Sequence, residues 1–265
     1  MITKHIDHLD LRQTAMSGQC FRWRCISDDT YNIVAYGRSL DITQNGDLFT
    51  LSCDEREWEN VWHHYFDLDT DYGHVEELIM TSGDEHLMES FNQGSGIRIL
   101  NQELWEMIIT FMISQNNNIK RITNSVEMLC TACGREIPGS ARKAFPAPYE
   151  GRSEVFLDRS FGFGYRDQYL LKMFQAAAEN YSQIEALKTM SYEDAMSSLM
   201  GYTGIGRKVA NCICLFGLHH IDAFPVDTHV KQLLAKHYPE GFDFERYKGC
   251  AGIVQQYLFY YELTH

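Results

Sequence analysis

A primary amine two residues past a Gly-x-Gly turn, with a carboxylate nineteen positions further on, has the clearest chemical content of any pattern in this chain. The amine is Lys208 in Gly204-Ile205-Gly206-Arg207-Lys208, and the carboxylate is Asp227 in Pro225-Val226-Asp227-Thr228-His229. A Gly-x-Gly turn opening a helix leaves backbone N–H groups free at the positive end of the helix dipole, which suits a phosphate. A lysine in that first turn is disfavoured by roughly 0.3–1 kcal/mol, so it marks either a site or an accident. Considered singly, Lys208 reads as a solvated lysine at a helix start. Asp227 likewise reads as the N-cap of a helix running through His229 and Leu233.

Both residues need a helical frame, and the chain beyond Gln93-Gly94-Ser95-Gly96 supplies one. Glu103 to Ser114 carries Leu104, Met107, Ile108, Phe111 and Met112 on one face, and a second helix is expected from Ile119 to Cys130, ending before Gly134. Gln115-Asn116-Asn117-Asn118 joins them. A third helix is expected from about Tyr165 to Tyr181, and Ser191 with Asp194 starts a fourth that runs into the Gly204 turn. The first 96 residues read differently. Tyr31 to Tyr36 and the two arms around Asn45-Gly46 alternate as strands, the Asn-Gly pair suiting a type I′ hairpin turn. After Cys53, Trp58, Val61, Trp62 and Tyr65 fall at helical spacing. The fold class expected is α+β: an N-terminal antiparallel-sheet domain with helices over residues 1–96, then a mainly helical domain over 97–265.

At 265 residues and 45% hydrophobic content the chain can bury one large core or two smaller ones. It holds no apolar run near the roughly 18 residues that span a bilayer, and Met1 to Asp10 lacks a secretory pattern. An intracellular, non-secreted, membrane-free protein is expected. Cys130-x-x-Cys133 and Cys212-x-Cys214 have no partner pair for a zinc site and no four-cysteine cadence for an iron–sulfur cluster, so the thiols read as reduced and mostly core. A net charge of −13 argues against a nucleic-acid partner until its distribution is seen. Residues 1–96 hold six Lys/Arg against eighteen Asp/Glu, while residues 97–265 hold seventeen against eighteen. The half bearing Lys208 is nearly neutral, and Asn118 to Lys172 holds nine basic and six acidic residues.

Five separated motifs narrow the reading: Gly18-Gln19-Cys20-Phe21-Arg22-Trp23-Arg24, Asn116-Asn117-Asn118-Ile119-Lys120-Arg121-Ile122, Gly162-Phe163-Gly164-Tyr165-Arg166, Lys208-Val209-Ala210-Asn211-Cys212-Ile213-Cys214, and Gln255-Gln256-Tyr257-Leu258-Phe259. With the Gly204/Gly206 hairpin and Asp227, they resemble the 8-oxoguanine DNA glycosylases of the helix-hairpin-helix superfamily. The resemblance implies two helical subdomains flanking a cleft that grips duplex DNA holding an oxidised purine. It implies a bifunctional glycosylase and AP lyase of base excision repair. Lys208 would attack the anomeric carbon of a flipped nucleotide, expel the base and form a Schiff base, and β-elimination would nick the strand. The amine must be neutral to attack, and both desolvation and the helix N-terminus disfavour its cation. Asp227 would steady the oxocarbenium-like sugar.

In this family the base lies between a Phe and a Cys, matching Phe259 and Cys212. Gln255 would read its Watson–Crick edge and the Gly18 carbonyl would accept from the N7 hydrogen peculiar to 8-oxoguanine. Asn116 would fill the gap in the duplex and Tyr165 would wedge it. Arg121 and Arg166 would bind the orphan cytosine. Gly204 and Gly206 would face DNA phosphate, and His229 would contact the backbone near the lesion. No cofactor and no catalytic metal are implied, and a monomer is expected. The chain departs from the family pattern in two places. Tyr202-Thr203 replaces the usual Leu-Pro before the hairpin, and Tyr260-Tyr261-Glu262 replaces small residues and an Asp, so Glu262 is a candidate for the missing carboxylate of the pocket floor. The competing readings are a helix-hairpin-helix glycosylase for another damaged base and a non-catalytic DNA-binding module.

Overall fold

The computed structural model describes residues 1–151 and 153–265. Strands β1 (Ile2–His5), β2 (Trp23–Ser27), β3 (Thr30–Ala35), β4 (Arg38–Asn45) and β5 (Leu48–Leu51) form one antiparallel sheet in the order β1-β5-β4-β3-β2. The β3–β4 register leaves Tyr36-Gly37 as a two-residue loop, both with positive φ, +52° and +66°. That is the type I′ signature. The β4–β5 register pairs Asn45 with Leu48, so Gly46-Asp47 is the loop, one position later than the Asn-Gly pair suggests. Only Gly46 of those two has positive φ (+63°), the II′ pattern, which needs its glycine at the first central position.

One face of the sheet buries Ile33, Leu40, Ile42, Phe49 and Leu51 against Trp58, Trp62, Tyr65 and Phe66. Trp58, Trp62 and Tyr65 ride on a helical stretch from Glu55 to Tyr65 that widens into a π turn over Trp58–Trp62, and Phe66 caps its end. The Tyr36 loop fastens the sheet to the helices, its N–H donating to the Glu103 carboxylate (2.7 Å) and its hydroxyl to the Asn101 carbonyl (2.8 Å).

The rest of the structure is helical. Its principal helices are α1 (Leu11–Met16), α2 (Tyr72–Met80), α3 (Glu85–Gly94), α4 (Leu104–Ser114), α5 (Ile119–Cys133), α6 (Asp167–Glu179), α7 (Tyr192–Met200), α8 (Arg207–Gly217), α9 (Thr228–His237) and α10 (Ala251–Thr264). Helix α4 is buried on every side from Leu104 to Ile113, not along one stripe, because it runs through the middle of the larger core. The third expected helix is divided. A 3₁₀ turn over Gly164–Arg166 leads into α6, and Asn180, at φ −150° and ψ 75°, stops α6 before the short helix Tyr181–Ala186. Helices α3 and α10 pack together, as do α4 and α8. Through Tyr72, Val75, Leu87 and Phe91 the segment before residue 96 contributes to the helical core as well as to the sheet core. Seven of the eight cysteines are buried free thiols and Cys25 is exposed. Among the described residues no helix is long and apolar enough to cross a membrane.

Candidate active site

Helix α7 starts where the sequence places it. Its N-cap Ser191 accepts from the Asp194 N–H (3.2 Å) and donates to the Asp194 carboxylate (2.8 Å). It leads to a turn in which Gly204 has φ +91°, and a Cβ there would lie 2.6 Å from the Tyr169 ring. Glycine is required at that point both by conformation and by packing. Gly206 is the N-cap of α8 and brings no side chain to the cap, so the helix opens with bare backbone donors beside Lys208.

Lys208 is half-buried. Its Nζ lies 5.9 Å from the centroid of the Phe111 ring on α4, and the amine neighbours the Cys212 thiol one turn further along α8. Burial pushes that thiol above its ordinary value, the neighbouring Lys208 amine opposes the rise, and Asp227 adds to it. Asp227 is also the N-cap of α9, accepting from the Val230 N–H at 2.9 Å. One oxygen is fixed by the cap, and the residue lies in the pocket wall with Lys208.

These groups enclose a small cavity of about 50 Å³ whose walls include Gly18, Cys212, Gln255 and Phe259, with Lys208 and Asp227 at one side. Gln255 is buried on α10; its amide donates to the Pro225 carbonyl (3.2 Å), while its Oε1 is buried without a partner. A buried unpaired acceptor costs about 1–3 kcal/mol, which a ligand donor would recover. An apolar cavity that admits benzene is about 150 Å³, so a purine enters only if the wall gives way. Phe259 is the wall's half-buried aromatic. Gly18, at φ +79°, sits against it, since a Cβ there would lie 3.2 Å from Phe259 Cε1. A larger cavity of about 330 Å³ lies beside Trp105 and Glu106, and its described lining has carboxylates and aromatics but no lysine or thiol to act as nucleophile.

A second group gathers at the rim. Asn116, exposed and with φ +51°, tops the loop between α4 and α5. Gln115 ties that loop to the hairpin by donating to the Gly204 carbonyl at 3.0 Å. Arg166 is buried beneath the loop, donating to the carbonyls of Gln115 (2.7 Å from Nε), Phe163 (2.9 Å) and Asn116 (3.0 Å). Its guanidinium lies 4.6 Å from the ring centroid of Tyr165, which is 56% exposed. Arg166 is thus committed to its own backbone in this conformation, whereas Arg121, in the first turn of α5, and His229, in the first turn of α9, are exposed.

The comparisons with known proteins fit this geometry. Residues 1–108 match the family described as 8-oxoguanine DNA glycosylase, N-terminal domain. The Saccharomyces cerevisiae N-glycosylase/DNA lyase is 37% identical over 263 residues, covering 87% of this chain and 68% of the yeast protein. The chain belongs to the 8-oxoguanine DNA glycosylase family. A probable N-glycosylase/DNA lyase of Methanothermobacter thermautotrophicus is 29% identical, covering 74% of this chain and 72% of that protein. The solved Clostridium acetobutylicum 8-oxoguanine glycosylase/lyase, in complex with double-stranded DNA containing cytosine opposite 8-oxoguanine, superposes with a TM-score of 0.89 at 28% identity, covering 100% of this chain and 98% of that one.

Glu262, a candidate for the pocket floor, does not line the pocket at Lys208. It lies beside His86 and His237. The structure also adds wall residues that sequence reasoning did not single out, namely Ser17, Phe111, Phe216, Pro225 and Gln256. Gln256 donates to the Ser17 carbonyl at 2.6 Å and so fixes the peptide that leads into Gly18. The readable signal was a pair of adjacent glutamines, Gln255-Gln256, in an otherwise apolar helix.

Proposed function

We propose that this chain excises 8-oxoguanine from duplex DNA and cleaves the resulting abasic strand, with Lys208 as the Schiff-base nucleophile and cytosine as the preferred opposite base. Family membership supports a DNA glycosylase with AP lyase activity. The Clostridium protein was solved with the lesion opposite cytosine, which motivates the substrate and the pairing preference. The observation that carries the reading is the convergence of Lys208, Cys212, Asp227 and Gln255 on one pocket.

In this scheme the Lys208 amine bonds to C1′ as the glycosidic bond breaks, and the proton it gives up goes to the departing base. Asp227, held by its cap, offsets the positive charge that develops on the sugar. Ring opening gives the imine. Loss of a C2′ proton then expels the 3′ phosphate. Gln255 and Gly18 recognise the base, which stacks between Phe259 and Cys212. Asn116 and Tyr165 occupy the vacated stack, and Gly204, Gly206 and His229 face the backbone. Arg121 and Arg166 meet the orphan cytosine, Arg166 by releasing part of its grip on the Asn116 loop. Residues 97–265 carry the nucleophile, and residues 1–96 close the pocket through Gly18. The protein works as a monomer in the compartment that holds the genome.

The test is borohydride trapping on duplex carrying 8-oxoguanine opposite cytosine. A covalent protein–DNA adduct is expected, lost in Lys208→Gln. No adduct from folded protein that still removes the base would overturn the Schiff-base assignment. Equal rates opposite all four bases would overturn the orphan-cytosine role of the two arginines.

A further inference from the structure

One helical turn along α10 from Phe259, three side chains from three helices meet. His86 lies in the first turn of α3, His237 is the last residue of α9, and Glu262 is near the end of α10. One ligand atom from each lies within 4.8 Å of the others. The two imidazoles stack face to face, with centroids 3.6 Å apart and planes 5° from parallel. The Nε2 atoms of both are buried with no hydrogen-bond partner. A buried imidazole nitrogen normally finds a donor, an acceptor or a metal. Two of them unpartnered, side by side and within reach of a carboxylate, need a shared ligand. Two imidazole nitrogens and a carboxylate are all lone-pair donors, so that ligand is a cation.

We propose that His86, His237 and Glu262 form a binding site for a divalent transition metal that ties the C-terminal end of α9 to α3 and α10. Two imidazoles and one carboxylate suit the zinc class of ions, while calcium and magnesium require mostly oxygen ligands. Ligand atoms around a tetrahedral zinc lie about 3.4 Å apart, so closure from 4.8 Å needs the two rings to rotate out of their parallel stack until their nitrogens converge, with Glu262 turning toward them. A solvent molecule completes the fourth position. The role is mechanical. Helix α9 begins at Asp227 and runs about 15 Å to His237, and α10 carries Gln255 and Phe259. A metal at this corner ties the far end of α9, whose N-cap is Asp227, to α10 one turn beyond Phe259.

The test uses the whole chain, stripped with a chelator and titrated with Zn²⁺ alone by calorimetry. One ion per chain is expected. At zinc about a hundredfold above the dissociation constant, mass action raises the unfolding midpoint by about 5–10 °C. Glu262→Gln and His237→Asn should each weaken binding at least roughly tenfold. Cys25→Ser, which removes the exposed thiol, should leave it unchanged. Co²⁺ in place of zinc should give visible d–d absorption without thiolate charge transfer. Absence of stoichiometric binding in the unmodified chain would overturn the proposal. So would affinity unaltered by both ligand substitutions, or thiolate charge transfer, which would put the ion on cysteine. Adduct trapping is expected to survive chelation, so this site and the Lys208 chemistry fail or stand separately.

Discussion

Gly18→Ala separates base recognition from strand cleavage. Gly18 has φ +79°, where a side chain costs about 1–2 kcal/mol, partly offset by about 0.4–1 kcal/mol from stiffening the unfolded chain. The new Cβ would stand 3.2 Å from Phe259 Cε1, so the ring shifts by a few tenths of an ångström. A net cost of about 1 kcal/mol lowers the unfolding midpoint by roughly 2–4 °C. Functionally, the Gly18 carbonyl and the Phe259 ring move together. Losing one backbone hydrogen bond to the lesion, worth about 0.5–1.5 kcal/mol, together with poorer stacking, reduces excision of 8-oxoguanine about tenfold. Cleavage of a preformed abasic site needs Lys208 and Asp227 but no base, so it should stay within about twofold of the parent rate. Both rates are measured in single turnover, well below the lowered midpoint. Equal losses on the two substrates would refute the assignment of Gly18 to base recognition, and so would a lowered midpoint with excision intact.

Three other substitutions test separate parts of the structure. Asp227→Asn keeps an equally good N-cap, so the midpoint should barely move, while excision falls roughly 10²–10³-fold if the carboxylate stabilises charge; unchanged excision would reduce Asp227 to a cap. Arg166→Ala removes the donors that hold the carbonyls of Gln115, Phe163 and Asn116, and should lower stability by about 2–4 kcal/mol in denaturant unfolding and loosen the preference for cytosine, with neither change expected if the guanidinium is incidental. Burial pushes the Glu106 carboxyl up to about 8, with Arg22 opposing and Glu103 and Glu127 adding to the rise, from an ordinary value of 4.5. Between those values the folded chain keeps a proton that the unfolded chain releases, so stability falls as pH rises through the window. Glu106→Gln should flatten that slope and gain on the order of 3 kcal/mol at pH 8, and parallel pH profiles for the two proteins would contradict it.

Local features of the site were readable because local rules specify them. Gly204 and Gly206 announce a turn, Asp227 a cap, and Ser191 with Asp194 a helix start, and each stands where its spacing puts it. The hairpin turn at Gly46 fell one residue from expectation because two sequence-compatible registers differ by which residue takes positive φ, and strand pairing across β4 and β5 decides between them. Helix α4 looked amphipathic because Leu104, Met107, Ile108, Phe111 and Met112 recur at helical spacing, yet α8 and its other neighbours cover its remaining faces. Periodicity reports one buried face and is silent about a second.

Other features depended on contacts between segments far apart in the chain. Arg166, expected to meet the orphan cytosine, lies buried under carbonyls 50 and 51 positions away in the chain. Gln256 reaches Ser17 across 239 positions, and Glu262, a candidate for the pocket floor, points to two histidines on other helices. The sequence by itself determined the types of groups available: an amine past a Gly-x-Gly turn, a capping carboxylate, a Phe, a Cys and a Gln on helices. Only the tertiary structure decided that these meet around one cavity, that Gly18 closes it from the N-terminal segment, and that Glu262 stands apart from it. Short-range dihedral and capping preferences act within a few residues, whereas the convergence of α4, α8, α9 and α10 on Lys208 comes from the packing of the whole core.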